Sequence, residues 1–322
     1  MTTPSLSRDN TIGVASASAA AIAFSFNDMA IKFLSGDYPL HQVVLIRSLI
    51  GMTLLLAVIV PLTGGLQVLR TRRLGMHLLR GLCVVFANMA FFLGLASLPL
   101  ADAMAIFFVS PLVITGFSVI FLGEKVGLRR WAAVGLGMVG VVIVMRPGSQ
   151  AFQLASLLPL VAAVSYALLH IMTRKIGGTE KAVTMTFYIL IVFLVTSAVI
   201  GVAVGDGRFA GWGHPSMEFL FRAWVAPNPA DYGVFLLVGV ASTAGGYLIS
   251  QAYRLCEAGL AAPFEYLALP MGIFWGVVVF GDWPAWNSWL GIGLILFGGL
   301  YMFWRETRVQ DQLAGQAPPK RR

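Results

Sequence analysis

Long apolar runs alternate with short polar breaks along almost the whole chain. A bilayer core about 30 Å thick takes about 20 mostly apolar residues per helix. On that ruler ten segments qualify as spans: 11–34, 40–62, 75–98, 101–123, 129–146, 153–173, 182–204, 231–256, 261–280 and 285–305. The connections are short and rich in Gly, Pro or charge, as in "SGDYP" at 35–39 and "RPGSQ" at 146–150. The longest, 205–230, contains "GDGRFAGWGHPS" and reads as a compact loop at the interface. The first apolar run is too long for a signal-peptide core and has no clear cleavage site, so it reads as a retained helix. Residues 306–322, ending in "QAPPKRR", read as a disordered, solvated tail.

Composition agrees with this pattern. Of 322 residues, 58% are hydrophobic and 11% charged, with mean hydropathy +0.83. A soluble domain carries about 25% charged residues, so this chain has too few to cover a water-facing surface. It is an all-α membrane protein by expectation. The net charge of +8 then points to cytoplasmic loops facing anionic headgroups, not to nucleic acid. With the N-terminus inside, the cytoplasmic set holds Arg8, Arg70, Arg72, Arg73, Lys125, Arg129, Arg130, Arg174, Lys175, Lys181, Arg254, Arg305, Arg308, Lys320, Arg321 and Arg322. The outer set holds only Lys32, Arg146, Arg208 and Arg222. Both termini are therefore expected in the cytoplasm. The two cysteines, Cys83 and Cys256, form no CxxC or metal-like spacing, and neither a metal nor a cofactor is expected.

"GEKVGLRRW" at 123–131 returns 158 residues later as "GDWPAWNSW" at 281–289. Gly123 matches Gly281, Glu124 matches Asp282 and Trp131 matches Trp289; at the same offset Gly135 matches Gly293 and Gly140 matches Gly298. Lys125, Arg129 and Arg130 have become Trp283, Asn287 and Ser288. A repeat of five spans, an odd number, enters the membrane the second time from the opposite side. Cations that suit a cytoplasmic loop would then oppose insertion in its external copy. The spans thus divide into two inverted repeats, 11–147 and 152–305. Inverted repeats of this kind mark secondary transporters, with a site near the midplane between the halves.

The ten spans, "GEKV" after the fourth, "APFEYLALP" and "VVFGDWP" in the ninth, "FNDMAIKF" in the first, Arg47 in the second and "HLLRG" at 77–81 resemble the EamA family of the drug/metabolite transporter superfamily. Within it they are similar to the carboxylate, amino-acid and amine group that includes S-adenosylmethionine and riboflavin carriers. The resemblance covers nearly the whole chain. It implies a ten-helix fold of two EamA repeats and a small-molecule cargo. One scaffold hosts many cargoes, so it does not fix which.

An ionisable side chain at the centre of a span costs about 2.5–3.5 kcal/mol on insertion scales. Asp28 lies late in the first span beside Asn27, with Lys32 four residues on, a spacing that puts both charges on one helical face. They form either an internal ion pair that hides two charges, or a gate or a proton and substrate contact near the outer mouth. Arg47 either snorkels outward, pairs with Asp28 or meets an anionic group on the cargo. Arg80 and Arg254, near cytoplasmic ends, are expected at headgroups. Glu265 sits between Pro263 and Pro270, where freed carbonyls call for protein or a cavity to satisfy them. It either binds a cationic part of the cargo, carries a coupling proton, or pairs with Arg254 or the backbone. Where the S-adenosylmethionine-carrier-like members lead one to expect a basic residue, this chain has that acid. The candidate binding or coupling set is Asn27, Asp28, Lys32, Arg47, Asn88, Tyr166, Gln251, Glu265 and Tyr266. Neutral polar groups such as Ser165, His170 and Ser250 are expected mostly to bond across helices, at about 0.6 kcal/mol each, with His170 at an interface.

The resulting expectation is a secondary transporter in the bacterial inner membrane, a monomer or weak homodimer, with a coupling proton as one option. It would move a small polar or zwitterionic metabolite such as an amino-acid derivative, a carboxylate, an amine or a heteroaromatic. The rival class is an intramembrane enzyme or a non-transporting membrane protein. The former needs a nucleophile with a base or a metal cluster on facing helices, and no HExxH, GxSxG or Ser/His/Asp set stands at membrane depth.

Overall fold

The computed structural model describes residues 8–122, 127–147, 153–176, 179–255, 261 and 264–316, and every regular element among them is helical. In lipid a helix satisfies its backbone within itself, which is why apolar runs of this length fold in no other way. The helices are α1 (Arg8–Leu34), α2 (Leu40–Thr63), α3 (Leu74–Ser97), α4 (Leu100–Phe107 continued by Ser110–Leu122), α5 (Leu128–Met145), α6 (Leu157–Ile176), α7 (Ala182–Val204), α8 (Tyr232–Leu255), α9 (Ala268–Phe280) and α10 (Trp286–Gln316). Among the described residues seven meet the length and apolarity of a span outright, and shorter apolar helices occupy α5 and α9. Leu56, Phe86, Val139, Val199 and Phe297 are exposed on the outside of the bundle, as side chains facing acyl chains should be. The long connection after α7 holds one short helix, Pro215–Phe221, whose Ser216 bonds to Ser97 and to the Leu93 carbonyl. One expectation fails: helix α10 runs to Gln316, so 306–316 continue a helix instead of a disordered tail. The motif residues 123–126, Cys256 and Pro263 lie outside the described residues.

Helix contacts obey a two-fold rule that exchanges α1 with α6, α2 with α7, and so on through α5 and α10. The α1–α8 contact has its counterpart in α6–α3, α2–α8 in α7–α3, and α1–α9 in α6–α4, while α2–α7, α4–α9 and α5–α10 map onto themselves. The α5–α10 seam shows the operation at single residues. A Cβ on Gly140 would lie 2.7 Å from the Gly291 carbonyl oxygen, and one on Gly298 would lie 2.9 Å from that of Ala133. Advancing 133 and 140 by the repeat offset gives 291 and 298, so each contact is the image of the other. Both pairs of residue numbers add to 431, as neighbours on antiparallel helices must. The two halves therefore cross in opposite senses, and the seam needs glycine because two backbones meet there.

The same offset places two helix breaks. Helix α4 is interrupted at Phe108–Val109, and the chain before α9 turns at Tyr266–Leu267. Pro111 offers no N–H to the Phe107 carbonyl, nor Pro270 to that of Tyr266. In each copy the turn is closed by a tight bond, from the Val109 N–H to the Ile106 carbonyl at 3.2 Å and from the Leu267 N–H to the Phe264 carbonyl at 3.3 Å. Beyond the second break α9 ends at Gly281, whose φ of 70° lies in the left-handed region that favours glycine.

Candidate functional site

A cavity of about 160 Å³ lies between the halves, lined by side chains from α1–α4, α6–α8 and the broken ninth segment and, among the described residues, by none from α5 or α10. Both helix breaks border it through Phe107, Phe108, Glu265 and Ala268. Discontinuous helices beside a midplane site are a recurrent transporter device, because freed carbonyls are tolerated where they face a cavity.

Two polar clusters stand in its wall. In the first, Arg47 is buried in the second turn of α2 and donates from Nη2 to Asn88 Oδ1 at 2.8 Å and from Nη1 to Asn27 Oδ1 at 3.4 Å. Its guanidinium lies over the rings of Phe193 at 4.8 Å and Phe92 at 5.5 Å. Asn27 turns its amide nitrogen to Asp28 Oδ1 at 2.9 Å. Asn27 thus bridges the buried cation and the Asp28 carboxylate, its amide oxygen toward Arg47 and its nitrogen toward Asp28, while Asn88, among the described residues, serves Arg47 alone. Arg47 does not snorkel. Nor does Asp28 pair with Lys32: the Lys32 ammonium donates to the Leu98 carbonyl at 2.6 Å and pairs with Asp282 at 3.5 Å, above the Phe280 ring. The i, i+4 spacing on α1 proved weaker than a partner about 250 residues away, because the break and Gly281 fold the α9–α10 corner back over the end of α1.

The second cluster is built around Glu265. Tyr166 donates its hydroxyl to Glu265 Oε2 at 2.9 Å, and Tyr253 donates to Oε1. Neither of the structural alternatives considered for this acid holds, since Arg254 instead donates to Gln251 Oε1 at 3.2 Å and the partners of Glu265 are phenols. His170 is wedged between the two tyrosines, with ring centroids 4.2 Å from each. Arg80 is 1% exposed and donates from Nε to Thr173 Oγ1 at 3.1 Å. Its expected headgroup role fails because α3 presents that face to α6, where Gly81 admits Val192 of α7 against the backbone. His170, expected at an interface, is likewise buried and lines the cavity.

Of the nine candidate residues, Asn27, Asp28, Arg47, Asn88, Tyr166 and Glu265 line the cavity. Lys32, Gln251 and Tyr266 do not. Tyr266 falls in the break and turns to Phe108 and Gly299 of α10. The sequence reading missed Tyr253, Arg80 and His170 as cavity residues. A signal existed on α3, where 77, 80, 84, 87, 88 and 91 follow the helical period and carry the Arg80 and Asn88 faces together. Aromatic rings of Phe24, Phe91, Phe92, Phe107, Phe108 and Phe193 complete the wall. The lining holds two guanidinium groups and two carboxyl groups, a balanced set suited to a cargo with both donors and acceptors on an apolar frame.

A ten-helix inverted bundle with buried, hydrogen-bonded ionisable groups around a cavity between its halves is the build of a carrier. The chain belongs to the EamA-like transporter family, whose model matches residues 11–146 and 153–304. Among its relatives is a riboflavin transporter of Rhizobium johnstonii, 32% identical over 76% of this chain and 75% of that protein. A riboflavin transporter of Vibrio cholerae is 30% identical over 90% of this chain and 92% of its own. An S-adenosylmethionine uptake transporter of Rickettsia bellii is 25% identical over 90% and 93%. A solved crystal structure matches with TM-score 0.67 at 19% identity, covering 95% of this chain and 99% of its own, and shows the shared fold. This protein is accordingly a multi-pass membrane protein and a small-metabolite transporter.

Proposed function

We propose that the protein carries a flat heteroaromatic metabolite, riboflavin foremost, across the bacterial inner membrane by alternating access, with both termini in the cytoplasm. The observation that carries this reading is the cavity wall itself. Eight aromatic rings from Phe24, Phe91, Phe92, Phe107, Phe108, Tyr166, Phe193 and Tyr253 stand around two guanidinium groups, two carboxyl groups and two asparagines. Rings of this kind take the faces of a planar ring system, while the polar groups take its edge and a hydroxylated side chain. The two guanidinium and two carboxyl groups leave the wall with no excess of either sign, which suits an uncharged heterocycle. The names of the two riboflavin relatives point the same way. In this reading Asn27, Asp28, Arg47 and Asn88 bind one end of the cargo. Tyr166 and Tyr253 hold Glu265 at the other end, where the carboxyl can exchange a proton as the halves rock. Lys32 and Asp282 close the outer side.

Purified protein in liposomes should exchange labelled riboflavin against internal riboflavin without ATP, and S-adenosylmethionine should compete poorly. Exchange that needs added ATP, or that S-adenosylmethionine blocks while unlabelled riboflavin does not, would sink the proposal.

A further inference from the structure

Most polar side chains around the cavity are engaged, but a few buried atoms have no partner: Arg80 Nη1, both ring nitrogens of His170, and the hydroxyls of Ser48 and Thr243. A hydroxyl can rotate toward a carbonyl of its own helix. The guanidinium and the imidazole cannot adapt in that way, because both are clamped. Arg80 Nε is held by Thr173 Oγ1, which itself donates to the Leu169 carbonyl at 2.8 Å. His170 is held between the rings of Tyr166 and Tyr253. His170 and Thr173, three apart on α6, share one face, and Arg80, bonded to Thr173, lines the same wall of the cavity as the imidazole. Arg80 is 1% and His170 4% exposed. Leaving such groups without partners is costly, and both line the cavity.

We propose that Arg80 and His170 form a subsite for the amide or imide edge of a heterocyclic cargo. The Arg80 Nη1–H donates to a ring carbonyl oxygen, and the unprotonated nitrogen of His170 accepts the adjacent ring N–H. A neutral imidazole supplies that acceptor, which a second cation could not. A carboxylate fits less well, since Glu265 is bonded to the same two tyrosines that flank His170 and would repel it. This subsite rests on the heteroaromatic reading above and narrows it to rings that carry a carbonyl next to an N–H.

The test measures binding by quenching of riboflavin fluorescence on the purified full chain, using riboflavin and its analogue methylated at the imide nitrogen. The wild type should bind riboflavin about tenfold or more tightly than the analogue. His170→Phe keeps a ring in the tyrosine stack and should erase that preference. Arg80→Lys keeps the charge but loses the fork, and should weaken both ligands about tenfold. Equal binding of both ligands by the wild type overturns the subsite, because water then completes these groups; so does a preference that persists in His170→Phe. In either case riboflavin binding itself survives, and the heteroaromatic reading with it. Absence of riboflavin binding to the wild type overturns both. If a variant fails to fold, the comparison of ligands on the wild type still decides.

Discussion

Four glycines related in pairs by the repeat separate structural symmetry from mere glycine abundance. Gly140 and Gly298 lie in the α5–α10 seam, while Gly135 and Gly293 have nothing within 4 Å of a Cβ. In Gly140→Ala the methyl would stand 2.7 Å from the Gly291 carbonyl oxygen and 2.9 Å from Ile295 Cγ1. Backbone cannot rotate away, so the helices must part by about half an ångström or more, and a gap of 0.5–1 Å forfeits a quarter to a half of each contact. Overpacking of this kind costs about 1–3 kcal/mol, and no hydrophobic term offsets it between helices in lipid. At about 2–4 °C per kcal/mol for a chain of this order of size, the apparent melting temperature in detergent should fall by about 2–12 °C. Gly298→Ala should behave alike, with its methyl 2.9 Å from the Ala133 carbonyl oxygen. Gly135→Ala and Gly293→Ala should leave the midpoint unchanged or slightly raised. Scans at one fixed heating rate suffice for the comparison. An equal loss from Gly135→Ala and Gly140→Ala would refute the seam.

Other consequences can be checked alongside. Glu265→Gln mimics the protonated carboxyl, so it should flatten the pH profile of uptake between acid and neutral pH without lowering the amount of protein in the membrane; an unchanged profile makes Glu265 purely structural. Asn88→Leu removes the acceptor from Arg47 Nη2 and should cost about 1–3 kcal/mol, read as a lower melting point and lost uptake, whereas Asn88→Asp should retain most of both. Lys32→Glu should impair transport, and the double exchange with Asp282→Lys should recover part of it; no recovery would show that the pair does not close the outer side.

The spans were legible because length and apolarity are properties of a single run; the breaks inside 101–123 and 261–280 were not anticipated, although Pro111 and Pro270 each remove a definite hydrogen bond. Arg47, Asn88 and Glu265 could be found because a charge or amide at depth has few uses. What the sequence concealed depends on contacts between distant segments. Lys32 has a near carboxylate in Asp28 and a far one in Asp282, and only the fold of the α9–α10 corner decides between them. Arg80 and His170 look interfacial when depth is counted from a helix end, yet the α3–α6 contact closes over both. Tyr266 is adjacent to Glu265, but the break removes the helical phase that would have carried it to the cavity. Tyr253 gave no warning, since a tyrosine in an apolar helix more often packs than binds.

The paired joints at 108–109 and 266–267 bear on how such a carrier is driven. Equivalent breaks in the two halves give neither half a bend that the other lacks, so the backbone pattern by itself does not distinguish loading from discharge. Whatever bias the cycle possesses must reside in side chains that lack a counterpart across the two-fold, or in the concentrations on either side.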